Sequence, residues 1–226
     1  MTAARHDHRS LGRELQLFGT DPLIGAGLPY WLPDGATVRH ALEEYIRGVE
    51  RRAGYRHVCS PVLGKRELYE LSGHWDHYAD DMFPPLERRA GNAAGDPAED
   101  GAGEGSGEVL VLRPSLCPHH AVIYRSRPHS YRELPLRMAE LGTMYRAERS
   151  GVLGGLTRVR AIQLNDAHIF CTLDQVAAEA GAALELIRDA YRALGIEAAR
   201  HRLSLPAPGG DRLPGPDAWR RATALL

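Results

Sequence analysis

Arg137, Arg146, Glu148, Arg158 and Arg160 form the densest set of chemically capable side chains in the sequence. They lie in or beside two runs of strand character, 136–147 and 157–164. Residues two apart on a strand share a face, so Arg158 goes with Arg160, and Arg146 with Glu148. Neighbouring strands lie about 4.8 Å apart, which lets the two pairs flank one pocket. Guanidinium forks held on a sheet suit a polyphosphate or a carboxylate ligand. A salt-bridged, solvent-facing hairpin uses the same residues, and spacing alone does not choose between the two readings.

A second set joins Cys117, which precedes Pro118, His119 and His120, to His168 in the run Asp166, Ala167, His168. Thiolate and imidazole are zinc-ligand types, but zinc takes three or four protein ligands and this pair supplies two. A buried structural cysteine and a satisfied core histidine fit the pattern as well. His119 is a further nitrogen in the run, although a Cys-x-His on a tight turn seldom aims both groups at one point. His74, Trp75, His77 and Tyr78 follow Gly73 and read as loop packing. Lys65 is the single lysine, in a Gly-Lys-Arg run without the flanking pattern of a P-loop. Any phosphate chemistry therefore falls to arginine.

These residues need a scaffold, and the chain is long enough to build one. At 226 residues it suits one domain or slightly more, on a prior of about 150 residues each. Lys plus Arg number 28 against 29 for Asp plus Glu, which argues against a surface wholly devoted to nucleic acid. Three cysteines, Cys59, Cys117 and Cys171, cannot all pair, so a reducing, cytoplasmic setting is expected. No apolar run reaches the roughly 18 residues of a membrane span. The polar start is unlike a secretory signal.

The pattern of apolar residues predicts a short helix over 7–18, with Leu11, Leu15 and Phe18 on one face. A longer helix follows, capped by Asp34 and stopped at Gly54. Strands are predicted at 56–60, 109–112 and 201–205, helices at 66–71 and 115–126, and a long hairpin across 136–164. Residues 87–108 hold Gly, Ala, charged residues and almost nothing else apolar, so they read as a disordered surface insertion. The last helix has a capping box at Thr172 and Gln175. Its predicted buried stripe is Val176, Ala180, Ala183, Leu184, Ile187, Tyr191 and Leu194, and Gly195 ends it. Hairpins outnumber βαβ units, which makes the class α+β with an antiparallel sheet flanked by helices.

Read in order, these blocks resemble the catalytic domain of the class II aminoacyl-tRNA synthetases, most closely the threonyl type. Residues 7–12 resemble the family's N-terminal helix, and 34–61, from Asp34 to Pro61, its motif 1. Residues 72–78 resemble its SGHWxxY segment. Leu134 to Glu140 with Arg158, Val159 and Arg160 resemble the motif 2 hairpin, and 165–171 the segment after it. The resemblance covers nearly the whole chain outside 87–108, so the fold it implies is an incomplete class II catalytic domain over 1–226.

The resemblance implies ATP-dependent activation of threonine and its transfer to tRNA. Arg146 matches the arginine that holds the ATP α-phosphate, Glu148 the glutamate near adenine and the tRNA end, and Arg158 a hairpin arginine facing the substrate. Asp166 matches the acidic residue beside the substrate amino group, and Arg160 lies on the same substrate-facing hairpin. Cys117 and His168 match two of three zinc ligands. ATP with Mg2+ and Zn2+ are the implied cofactors, and motif 1 implies a homodimer. The 226 residues contain no counterpart of motif 3, of the third zinc ligand, or of the editing and anticodon-binding regions. Ile162 stands where the family stacks an aromatic on adenine, and Leu164 where it has Gln. Reduced activity of this chain alone is therefore expected, and a non-catalytic or repurposed adenylating relative stays open beside the ligase reading.

Overall fold

The computed structural model describes residues 7–87, 108–205 and 216–225. In chain order the elements are α1 (His8–Glu14), β1 (Phe18–Gly19), β2 (Tyr30–Trp31), α2 (Pro33–Arg52), β3 (Arg56–His57), β4 (Leu63–Lys65), α3 (Arg66–Leu71) and α4 (His74–Tyr78). Then come β5 (Leu86–Glu87), β6 (Val109–Leu112), α5 (Cys117–Arg125), β7 (Leu136–Tyr145), β8 (Ala161–Phe170), α6 (Val176–Ala193) and α7 (Pro216–Leu225). They divide into two compact units. The first draws on Met1–Glu43, Val58–Arg127 and Glu140–Asp166, the second on Glu44–His57, Pro128–Ala139 and Ala167–Leu226.

In the first unit β6 pairs antiparallel with β4 on one side and β5 on the other. The β-branched and leucine content of β6 suits this central position. Val111 of β6 is fully buried against Tyr69 of α3 and Met82, with Leu68 and Trp75 packed around them. Burial pushes the Tyr69 phenol up to about 12. A two-residue ribbon pairs Phe18 with Trp31. Directly after β6, Arg113 is 1% exposed and Glu140 of β7 is 3% exposed. Glu140 accepts from Ser60 Oγ at 2.7 Å, His120 Nε2 at 3.1 Å and Arg113 Nη2 at 3.1 Å. Burial pushes the Glu140 carboxyl up. The Ser60 and His120 hydrogen bonds and the Arg113 charge outweigh it and hold the group below the ordinary glutamate value. This buried cluster ties β7 to the strand–helix corner from which α5 starts.

In the second unit β3 runs parallel to the start of β7, with Arg56 opposite Met138 and His57 opposite Ala139. Gly54 takes φ +83°, the left-handed turn that lets the chain leave α2 and enter β3. Arg137 of β7 holds Glu179 of α6 through two bonds of 2.6 Å. The Thr172–Gln175 capping box is present.

The class is α+β, and the sheets are antiparallel apart from the β3–β7 pair. Several local expectations shift. The first helix stops at Glu14, and Phe18 lies in a strand paired with β2. Pro33 opens α2, so Asp34 sits within its first turn instead of capping it. The 72–75 turn gives way to α4 from His74. The second hairpin strand begins at Ala161 and carries on to Phe170, because the glycine loop consumes residues through Arg160. Residues 201–205 form no strand. The stripe of α6 is only half-buried at Val176, Ala180, Ala183 and Leu184, and Ile187, Tyr191 and Leu194 are exposed. The tail forms α7, which was not foreseen. Glu87 and Glu108 are described, and Glu87 pairs in β5. The rest of the 87–108 insertion lies outside the described residues.

Candidate active site on the β7–β8 hairpin

β7 and β8 are neighbours in their sheet. Just beyond them the Arg146 N–H donates to the Arg160 carbonyl at 3.0 Å, which continues the pairing outside the sheet. The loop then closes on itself. The Gly154 N–H donates to the Arg158 carbonyl at 3.1 Å, and Thr157 Oγ1 donates to the Gly154 carbonyl at 2.6 Å.

The four hairpin residues do not line one pocket as their parity suggested. Glu148 and Arg158 line a cavity of about 460 Å³ that is also lined by Asp76 to Asp81, the end of α4 and the 3-10 turn after it. Within it Arg158 grips a single Glu148 oxygen, through Nε at 2.9 Å and Nη2 at 2.8 Å. Arg158 stays 56% exposed while the Glu148 side chain is 12% exposed, so the arginine is the member that can swing to a ligand. Arg146 is half-buried and makes no side-chain hydrogen bond or ion pair among the described residues. Arg149, exposed on the loop and lining the same cavity, likewise has no side-chain hydrogen bond or ion pair among the described residues. Arg160 is committed to the backbone: Nε donates to the Glu148 carbonyl at 3.0 Å and Nη1 to the Ala26 carbonyl at 3.4 Å. Gly27 allows that approach, since a Cβ there would lie 3.1 Å from Arg160 Cγ.

Cys117 opens α5 with Pro118 in its first turn. The Ser115 hydroxyl lies 3.0 Å from Cys117 Sγ. A carboxylate oxygen of Asp166 lies within 4.8 Å of Cys117 Sγ. His168 is two residues further along β8, on the same strand face as Asp166. Thiol, carboxylate and imidazole are all zinc-ligand types, so these residue types fit the ion that the resemblance implies. Sequence reasoning cast Asp166 as a substrate contact only, and strand parity with His168 was the missed signal. His119 does not join this group. It is buried, its Nε2 lies 3.5 Å from the Leu63 carbonyl, and its ring faces Tyr69 at 6.2 Å. Burial pushes its pKa down. His74 packs in α4, with Nδ1 3.0 Å from Ser72 Oγ, and burial pushes its pKa down too.

Ile162 is half-buried where an aromatic was expected. Leu164 lines a separate groove of about 270 Å³ with Trp31, Leu42 and Thr143. The buried cluster of Ser60, Arg113, His120 and Glu140 went unrecognised in the sequence, because its members lie far apart along the chain.

An α+β fold with an arginine-bearing hairpin between its longest strands fits the class II aminoacyl-tRNA synthetase core. Residues 103–210 match the family described as tRNA synthetase class II core domain (G, H, P, S and T). The solved RNA binding domain of threonyl-tRNA synthetase from Cryptosporidium parvum Iowa II is similar, with a TM-score of 0.78 and 33% identity. That match covers 98% of this chain and 50% of the other. A threonine–tRNA ligase from Geobacillus sp. (strain WCH70) is 51% identical over 99% of this chain and 32% of its own length. One from Staphylococcus carnosus (strain TM300) is 48% identical over 97% of this chain and 32% of its own length. Over nearly its whole length the chain is similar to threonyl-tRNA synthetases. It spans about a third of the length of these curated relatives.

Proposed function

We propose that this chain carries the amino-acid-activating core of a threonine–tRNA ligase: it binds ATP and threonine, forms threonyl-adenylate, and serves transfer of threonine to tRNA. The observation that carries this reading is the hairpin, where Arg146 and Arg149 are unengaged among the described residues and the cavity is lined by Arg149 and an exchangeable arginine, Arg158. In the reaction the threonine carboxylate attacks the ATP α-phosphorus, the bond to the bridging oxygen breaks, and pyrophosphate leaves. Arg146 binds the α-phosphate and offsets the charge that builds on its oxygens. Arg158 leaves Glu148 to take a phosphate oxygen, and Glu148 is then free to accept from the adenine amino group. Asp166 faces the threonine ammonium. No protein nucleophile is needed, because positioning and charge stabilisation lower the barrier.

Cys117 and His168 would hold zinc, which would supply Lewis-acid recognition of the threonine amino and hydroxyl groups. This matters because threonine and valine are nearly isosteric and an apolar pocket separates them poorly. Mg2+ supplies charge neutralisation on the phosphates. Among the described residues no helix is long and apolar enough to cross a membrane, and the reading places the protein in the cytoplasm. The region 34–61, with Val38 at 53% and Leu42 at 44% exposure, is the proposed homodimer surface.

The test is threonine-dependent ATP–pyrophosphate exchange by the full chain with zinc and magnesium present. Exchange that is lost in Arg146→Ala and not supported by valine is the expected result. A folded chain without exchange overturns the reading and leaves a non-catalytic relative.

A further inference from the structure

The hairpin loop is fastened from outside by a residue that the activity reading does not use. Leu156 donates its backbone N–H to Nε2 of His8 at 3.1 Å, across 148 residues of chain. A backbone N–H can only donate, so Nε2 is the unprotonated nitrogen of the ring. The proton then sits on Nδ1, which faces Asp7 Oδ1 at 3.3 Å. Phe18 of β1 stacks on the imidazole, with centroids 6.3 Å apart and planes at 14°. Gly155 makes the approach feasible. Its φ is +54°, and a Cβ there would lie 2.1 Å from His8 Nε2.

We propose that His8 is a positioning residue for the hairpin: its neutral ring latches the loop at Leu156 and thereby sets where Arg158 and Glu148 stand. The mechanical path is short. Leu156 lies inside the turn that Gly154 and Arg158 close, and Arg158 in turn holds Glu148. The groups set against the ring are Asp7 and Arg9 from its own segment, Phe18 from β1, and Gly155 and Leu156 from the loop.

Only the kinetic arm of the test rests on the proposed activity. The experiment compares amide hydrogen exchange at Leu156 in the full-length wild type, His8→Gln and His8→Phe, each corrected for intrinsic exchange. Glutamine places a carbonyl oxygen where Nε2 stood, accepts the same N–H, and does not titrate. Loss of one neutral hydrogen bond lowers protection by about fivefold in His8→Phe, while His8→Gln stays near wild type. Equal Leu156 protection in folded His8→Phe and wild type overturns the latch. If His8→Phe does not fold, His8→Ala removes the acceptor in its place and is read the same way. In the exchange assay His8→Phe lowers kcat more than it changes KM for threonine, and His8→Gln restores it. Absence of pyrophosphate exchange in all three proteins refutes the activity reading, while Leu156 protection still judges the latch.

Discussion

Removing the Glu140 carboxylate should be one of the most damaging single changes in the first unit. Glu140→Ala deletes an acceptor that serves the Ser60 N–H at 3.3 Å, the Ser60 hydroxyl at 2.7 Å, His120 at 3.1 Å and Arg113 at 3.1 Å. Breaking a buried ion pair costs about 3–5 kcal/mol, mostly because the surviving charge stays buried. Arg113 keeps some consolation here. Its Nε donates to the Thr143 carbonyl at 2.6 Å, and Nη1 reaches Ser60 Oγ at 2.6 Å and the Ser60 carbonyl at 3.2 Å. The expected loss therefore lies near the lower end, about 3 kcal/mol. Glu140→Gln keeps one acceptor oxygen but turns an N–H2 toward existing donors, for about 2 kcal/mol. The double change Arg113→Met with Glu140→Leu should cost less than the sum of its singles, because no charge is left stranded.

Urea unfolding followed by tryptophan fluorescence at neutral pH measures all of these. The pH direction follows from the same cluster. The folded Glu140 pKa is held below its ordinary value, so its contribution is fully present above the ordinary glutamate range of about 4. It is lost as pH falls on through the folded value, and Glu140→Gln should remove that acid limb. A Glu140→Ala loss below about 1 kcal/mol, or strict additivity in the double variant, would refute the reasoning.

Arg137→Ala strands the largely buried Glu179 carboxylate and drops a bidentate grip. Thermal unfolding should register about 3 kcal/mol, and Arg137→Lys should recover only part, since an ammonium cannot reproduce the fork. Gly35→Ala gains about 1 kcal/mol of helix propensity in α2. The new Cβ would nonetheless sit 1.9 Å from the Leu17 carbonyl oxygen, a backbone atom that also accepts from the Leu32 N–H at 2.9 Å. The clash should win, and a variant as stable as wild type by the same unfolding measurement would contradict the packing described.

Local signals carried well wherever one element sufficed to set them. The capping box at Thr172, the breaker at Gly54 and the apolar run of β6 each act through neighbours in sequence, and each appears where the pattern placed it. Strand parity, applied to the hairpin, misjudged it. Arg160 shares a parity with Arg158 and yet spends its guanidinium on the Glu148 and Ala26 carbonyls. Which way a long arginine turns depends on where backbone carbonyls arrive from distant segments, and periodicity holds no record of that. The exposed half of α6 failed for a related reason: an amphipathic stripe says that a face prefers to be covered, without saying which residues cover it.

The sequence by itself determined the α+β class and most of the elements, and it offered the candidates for chemistry: Arg146, Glu148, Arg158, Asp166, Cys117 and His168. Their identities follow from side-chain chemistry, and their blocks follow the family order. Tertiary structure alone decided which guanidinium is free, which is paired and which is structural. It also decided that His119 turns into the core, and that His8 reaches the loop at Leu156. Those outcomes depend on distances of a few ångströms between segments separated by up to 148 residues. Hydrogen bonding and charge pairing act at contact range, so they are settled only when the chain has closed.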